Sequence, residues 1–289
     1  MDNYLVNNGH FILSNTPIMR AGNRGFQYAD GLFESIRVIH GKPLFLSDHL
    51  NRLFEGANAL QLHLPETWSI AFFEDLFQKL IALNNITSGR ARLSVFRAFG
   101  GNYLPLEKDV EYLLELYPLE EEAFELNKNG LAVDTYENEI KHKTHLANFK
   151  TLNAQLYVLA RIDASARNLD DALLLNDAKH IIEASSSNLF FVKNEQLYTP
   201  PLADGAVGGI MRMQLINLAI ELGIPVFECH ITPALLLDAD EIFLSNAIKG
   251  IQWVVSFRNK RYFHKLSNYL LSQLNVLATN LVMDLPETE

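Results

Sequence analysis

The sequence predicts an α/β protein built as two domains, and three observations carry that reading. At 289 residues and 48% hydrophobic, the chain can bury a substantial core, and its length suits two modest domains or one large one. Short β patterns alternate with amphipathic helical ones. Apolar periodicity lapses in the acidic run Glu120-Glu-Glu-Ala-Phe-Glu125, which marks a linker. The domains so defined are 1–119 and 129–289, joined by 120–128.

The first domain opens on a hairpin, with Asn7-Asn8-Gly9 turning between Tyr4-Leu-Val and His10-Phe-Ile-Leu. Residues 32–39, rich in β-branched and aromatic side chains, read as a strand that ends at His40-Gly-Lys-Pro43 and pairs with 44–46. Ser47 or Asp48 then caps a helix with Leu50, Leu53, Phe54, Ala57 and Leu60 on one stripe, presenting Arg52 on another face. A second helix spans 68–83. In the strand 90–97, Ala91, Leu93 and Val95 alternate with Arg90, Arg92 and Ser94, giving one core face and one cationic face. The last strand of this domain covers 111–117.

The second domain begins near Leu131. A helix is expected to open at Lys150, followed by strands at 172–175, 181–183 and 189–192 whose intervening turns suggest an antiparallel meander. A helix over 210–222 stops at Gly223 and Pro225, strands follow at Val226 and 241–244, and a long helix starts near Lys265.

Bulk chemistry removes several classes of function. Twenty-four basic against 34 acidic residues give a net charge of −10, which repels nucleic-acid backbones. The single cysteine, Cys229, allows no intrachain disulfide and no Cys-pair zinc site, which suits a reducing cytoplasm. The first residues lack a secretory pattern, and no apolar run approaches the roughly 20 residues needed to span a bilayer. His142 and His145 have no third ligand nearby and lie beside lysines, so no metal is expected. Ser185-Ser-Ser187 lacks a nucleophile elbow and reads as a polar loop.

Two residues point to specific chemistry. The amine of Lys150 can hold the aldehyde of pyridoxal phosphate (PLP) as a Schiff base. A carboxylate such as Glu183, in Ile181-Ile-Glu-Ala, can face the pyridine nitrogen and strengthen the ring as an electron sink. Taken singly, Lys150 also reads as a solvated lysine and Glu183 as an outward strand residue. Gly205-Ala-Val-Gly-Gly-Ile-Met-Arg212 leads into a helix whose N-terminal amides could cradle a phosphate, although alone it is a glycine-rich turn.

The order of these segments adds to that reading. Arg24-Gly-Phe-Gln-Tyr-Ala-Asp-Gly-Leu-Phe-Glu-Ser-Ile-Arg37, His49-Leu-Asn-Arg52, Lys150-Thr-Leu-Asn, Glu183-Ala-Ser-Ser-Ser-Asn188, Gly209-Ile-Met-Arg212 and Ala239-Asp-Glu-Ile-Phe-Leu-Ser-Asn-Ala247 together resemble the class IV aminotransferase family. That family comprises branched-chain aminotransferases, D-amino-acid aminotransferases and 4-amino-4-deoxychorismate lyases. The resemblance implies a D-amino-acid aminotransferase-like PLP fold type IV, usually homodimeric, with PLP between a smaller N-terminal α/β domain and a larger C-terminal one. It implies Lys150 as the Schiff-base lysine, Glu183 as partner of the pyridine nitrogen and Arg52 as a phosphate ligand. The backbone at Gly209, Ile210, Ala247 and Ile248 would complete the phosphate cup.

Departures from the aminotransferase pattern bear on the reaction. Gly209-Ile-Met211-Arg stands where transaminases usually carry Gly-Ile-Thr-Arg, and Ser245-Asn-Ala247 where they carry threonines; both resemble the lyase branch. Phe33 differs from the tyrosine of D-amino-acid aminotransferases. The resemblance therefore implies aminodeoxychorismate lyase activity, releasing pyruvate and 4-aminobenzoate, with a branched-chain or similar aminotransferase as the alternative. Arg37, Arg92 and Arg97 are candidates for the substrate carboxylates, Arg92 first, and Tyr28 lies in a loop expected near the substrate.

Overall fold

The computed structural model describes residues 3–283. The chain divides into two compact units, one running from the first strands to Glu122 with the segment Phe149–Asn153, the other comprising Ala123–Asn148 and Ala154–Asn280. Each holds its own sheet, the mixed α/β organisation that the sequence predicts.

The first unit contains β1 (Tyr4–Asn7), β2 (His10–Leu13), α1 (Arg24–Tyr28), β3 (Gly31–Ile39), β4 (Lys42–Pro43), α2 (Leu46–Ala59), α3 (Ile70–Asn84), β5 (Gly89–Arg97) and β6 (Val110–Pro118). Its six strands run in the order β2-β1-β6-β5-β3-β4, and every neighbouring pair is antiparallel. The β1–β2 turn has positive φ at both Asn8 and Gly9, the geometry that matches hairpin twist. Ile36, Leu93, Val95 and Leu114 on the sheet share a core with Leu50 and Leu53 of α2 and Phe73 and Phe77 of α3. Each of these side chains stabilises the unit by about 1.5–3 kcal/mol on burial.

Three local expectations change. Leu46 opens α2 instead of continuing a strand, and the paired segment after the turn is only β4. The N-cap of α2 is Phe45, in the left-handed region with no side-chain cap. Ser47 and Asp48 lie inside the first turn, where Asp48 complements the helix dipole. Most consequentially, no helix opens at Lys150: α4 starts at Gln155. Gly31 and Phe33, at the end of β3 that β4 does not reach, have backbone groups to satisfy. Phe33 N–H donates to the Lys150 carbonyl (2.9 Å), Leu152 N–H donates to the Gly31 carbonyl (2.9 Å), and Thr151 bridges Leu32. Sheet pairing overrides local helix propensity there.

The second unit contains β7 (Leu131–Tyr136), α4 (Gln155–Ala166), β8 (Asp171–Leu175), β9 (Ile181–Ala184), β10 (Asn188–Lys193), β11 (Gln196–Thr199), α5 (Ile210–Glu221), β12 (Val226–Glu228), α6 (Pro233–Asp238), β13 (Glu241–Asn246), β14 (Gly250–Phe257), β15 (Lys260–Arg261) and α7 (Lys265–Met283). Strands β8 to β11 pair antiparallel in succession, as the meander reading expects. Parallel pairs β7–β8, joined through α4, and β11–β12, joined through α5, extend that pattern. Because β9 pairs with both β8 and β10, the strands β10-β13-β14-β7-β8-β9 close on themselves. The closing pair is Asn188 opposite Glu183. Glu183 thus sits at the seam of a barrel, on a strand whose four residues are all buried.

Candidate active site residues

In the first unit, Lys150 is held by the backbone pairing with β3. Its Nζ lies 4.4 Å from the centroid of the Phe33 ring, and Arg92 Cζ lies 3.9 Å from the same centroid. Two cations thus share one aromatic ring, an attraction of about 0.5–2 kcal/mol for each. Arg92 also donates from Nε to Ser94 Oγ (3.2 Å), and burial pushes its pKa down, opposed by the charge of Glu115.

The neighbouring group is Glu34, His49 and Arg52. Arg52 is packed rather than presented: its Nε donates to Glu34 Oε1 at 2.8 Å, and its Nη2 contacts Glu34 Oε2. His49 Nδ1 stands 2.7 Å from that same Oε2. Burial alone would raise the Glu34 pKa, but Arg52 and His49 more than reverse this and hold it at about 2. His49 moves the other way. Burial lowers its pKa, partly offset by Glu34, and the charges of Arg52 and Lys150 lower it further. Its Nε2 is buried without a hydrogen-bond partner among the described residues.

In the second unit, Glu183 is 3% exposed and receives three donors. Lys141 Nζ lies 2.7 Å and Tyr157 Oη 2.9 Å from Oε1, while Val207 N–H donates to Oε2 at 2.8 Å. Lys141 is itself anchored by donation to the Ala147 carbonyl (3.0 Å). Burial and the adjacent Glu183 push the Tyr157 phenol far up, so it stays a protonated donor.

The loop carrying Val207 runs into α5. Asn188 Nδ2 donates to the Val207 carbonyl (2.8 Å), and a Cβ built on Gly209 would stand 1.8 Å from Asn188 Oδ1, so glycine is required for that approach. Gly209 is the N-cap of α5 and supplies no side-chain cap, which leaves the first-turn amides from Ile210 suited to an anion. After β13, Asn246 Oδ1 accepts from the N–H groups of Ile248 (3.0 Å) and Lys249 (2.9 Å), shaping the turn that contains Ala247. The Ile248 amide expected in a phosphate cup is therefore engaged by Asn246.

The remaining predicted residues have structural partners. Arg37 is 2% exposed and donates to Ser88 Oγ (3.1 Å), with a further contact to the Glu121 carbonyl. Arg97 donates to Asp30 and to the carbonyls of Leu60 and Gln61. These two guanidiniums tie loops to the sheet. Tyr28 ends α1, with its ring 5.6 Å from that of Tyr103 and Arg24 Cζ 4.9 Å from its centroid.

Sequence reasoning missed Lys141, Tyr157, Glu34 and His49. A signal existed for Lys141, since a carboxylate in an apolar strand demands a cation. The chain offers two lysines within ten residues before Lys150.

Residues 31–257 match the family model described as amino-transferase class IV. A Methanocaldococcus jannaschii protein provisionally named a branched-chain-amino-acid aminotransferase is 31% identical over 253 residues, covering 84% of each chain. A D-alanine aminotransferase of Listeria monocytogenes is 30% identical over 249 residues, covering 84% of this chain and 83% of its own. The crystal structure of 4-amino-4-deoxychorismate lyase from Pseudomonas aeruginosa superposes with a TM-score of 0.77 at 28% identity, covering 90% of this chain and 95% of that one. The side chains present suit PLP: an amine at Lys150, a buried carboxylate anchored by three donors at Glu183, and an uncapped helix start at Gly209.

Proposed function

Given that this chain belongs to the class IV aminotransferase family, whose members are PLP-dependent enzymes, we propose that it is a 4-amino-4-deoxychorismate lyase. It would release pyruvate and leave 4-aminobenzoate, a precursor for folate. The observation that carries this reading is the pair of positions at which transaminases usually present hydroxyls. Here Met211 is 1% exposed, on the buried side of α5, and Asn246 spends its Oδ1 on the turn that contains Ala247.

When bound, PLP supplies an electron sink for a developing carbanion. Lys150 would hold the cofactor, and its Nζ, as a neutral amine, would take the proton from the substrate carbon that bears the amino group. Glu183 would hold a proton at the pyridine nitrogen, with Lys141, Tyr157 and Val207 fixing the carboxylate. Arg52, oriented by Glu34, would meet the phosphate. In the second unit, the amides at the start of α5 are suited to an anion. Arg92 would meet a substrate carboxylate.

A homodimer in the cytoplasm accompanies this reading. The first unit exposes Phe26 (75%), Phe99 (57%), Tyr103 (91%), Leu104 (82%) and Leu106 (76%), side chains that a second copy would cover. Among the described residues no helix is long and apolar enough to cross a membrane.

The test is to supply the PLP-loaded protein with aminodeoxychorismate, or with an amino acid (leucine or D-alanine) plus 2-oxoglutarate, and follow 4-aminobenzoate and glutamate. Aminobenzoate with pyruvate and little glutamate is expected. Glutamate without aminobenzoate would make the chain a transaminase, the activity its Methanocaldococcus and Listeria relatives are named for.

A further inference from the structure

On the second unit, a group of side chains plays no part in the chemistry above. The isolated bridge between Ile181 and Ile231 buries both isoleucines completely, so the preceding residues, His180 and His230, turn away from that core side by side. Their rings stack with centroids 4.6 Å apart at 21°. Asp204, wholly buried at the end of the 3-10 turn Leu202–Asp204, faces both imidazoles: its Oδ2 lies 2.6 Å from His230 Nδ1 and 3.6 Å from His180 Nδ1.

The arrangement is built, not incidental. Asn176, also wholly buried, accepts from His180 N–H (3.0 Å) and donates to the Asp204 carbonyl (3.0 Å), fixing two of the three residues from one side chain. His180 Nδ1 is buried and has no hydrogen-bond partner among the described residues.

We propose that His180, Asp204 and His230 form a binding site for a divalent transition-metal ion of the zinc class. Their ligand atoms lie within 4.8 Å of one another. Zinc bonds of about 2.0–2.1 Å place tetrahedral ligands roughly 3.4 Å apart, so small side-chain rotations suffice. Two imidazoles and one carboxylate favour zinc, cobalt or nickel over magnesium, which prefers oxygen ligands. His230 is 62% exposed and gives the ion a route from solvent. Lys143 Nζ occupies the other carboxylate oxygen, Oδ1, at 3.0 Å and opposes the incoming cation, but its side chain is 41% exposed and can turn to water.

Equilibrium dialysis of the full chain against Zn2+ and Mg2+, with visible absorption of Co2+ as a second readout, tests the site independently of any PLP chemistry. One saturable equivalent of Zn2+, no competition by Mg2+, and intense Co2+ bands of low coordination number are expected. His230→Ala, at a position 62% exposed, should weaken binding at least tenfold. Lys143→Met should tighten it several-fold by removing the opposing charge, a gain that scattered surface histidines would not show. No saturable Zn2+, or Zn2+ binding undiminished in His230→Ala, would overturn the assignment.

Discussion

Lys150 Nζ stands 4.4 Å from the centroid of the Phe33 ring, which also carries the Arg92 guanidinium at 3.9 Å. The ring is a shared platform. Phe33→Leu keeps the apolar contact and removes the ring's negative face, an attraction of about 0.5–2 kcal/mol for each cation. We expect KM for aminodeoxychorismate to rise by roughly 3–30-fold through Arg92, with kcat changing less. Steady-state kinetics of the variant check this, and an unchanged KM would remove Arg92 from substrate binding.

Lys141 supplies the charge opposite Glu183, and both side chains are largely withdrawn from water, at 11% and 3% exposure. Lys141→Met leaves the carboxylate with Tyr157 and Val207 alone. Breaking a buried pair typically costs about 3–5 kcal/mol, and the two remaining donors place this one at the lower end. The variant should melt at lower temperature and lose PLP on dialysis, followed by calorimetry and by the visible band. Retention of both properties would show that Lys141 is dispensable.

How much of this was legible in the sequence depends on range. The hairpin at Asn8-Gly9, the core stripe of α2 and the alternation in β5 were readable because turn chemistry and periodicity are local. Lys150 and Glu183 were visible as residue types in an ordered set of motifs. Their surroundings were not. Lys141 reaches Glu183 across 42 residues of sequence, and Arg52, which a helical wheel turns away from the core, is drawn in by Glu34 from another element. The helix expected at Lys150 is absent for the same reason: pairing with β3, more than 100 residues earlier, holds residues 150–152 extended.

Acid should weaken the Glu34 group only below about pH 4.5. The Glu34 pKa is about 2 in the folded protein against 4.5 ordinarily, so its contribution is full above pH 4.5 and is lost as pH falls towards 2. That shift corresponds to roughly 3 kcal/mol. His49 acts in the same direction: burial lowers its pKa, so protonation of the unfolded chain below about pH 6.5 draws the equilibrium towards unfolding. Denaturant unfolding should therefore show Glu34→Gln less stable than the parent near neutral pH, with the gap narrowing in acid. A gap independent of pH would contradict the pairing.

Gly209 admits no side chain without moving Asn188, whose Nδ2 holds the Val207 carbonyl. Because Val207 N–H in turn binds Glu183, Gly209→Ala should disturb the start of α5 and the Glu183 anchor together. Overpacking of this kind costs about 1–3 kcal/mol. PLP affinity should fall at least fivefold in a fluorescence titration, whereas Gly223→Ala, strained by its φ of +71° but with nothing within 4 Å of its added Cβ, should cost stability and leave that affinity unchanged.

The central claim is that Lys150 carries the cofactor, and three lysines within ten residues, Lys141, Lys143 and Lys150, make it testable at single-residue resolution. Borohydride reduction of the PLP-loaded protein, followed by proteolysis and mass spectrometry, identifies the modified side chain. The phosphopyridoxyl group is expected on Lys150 at one per chain and absent from Lys150→Ala. Stoichiometric label on Lys141 or Lys143 in the parent protein, or undiminished label in Lys150→Ala, would contradict the account.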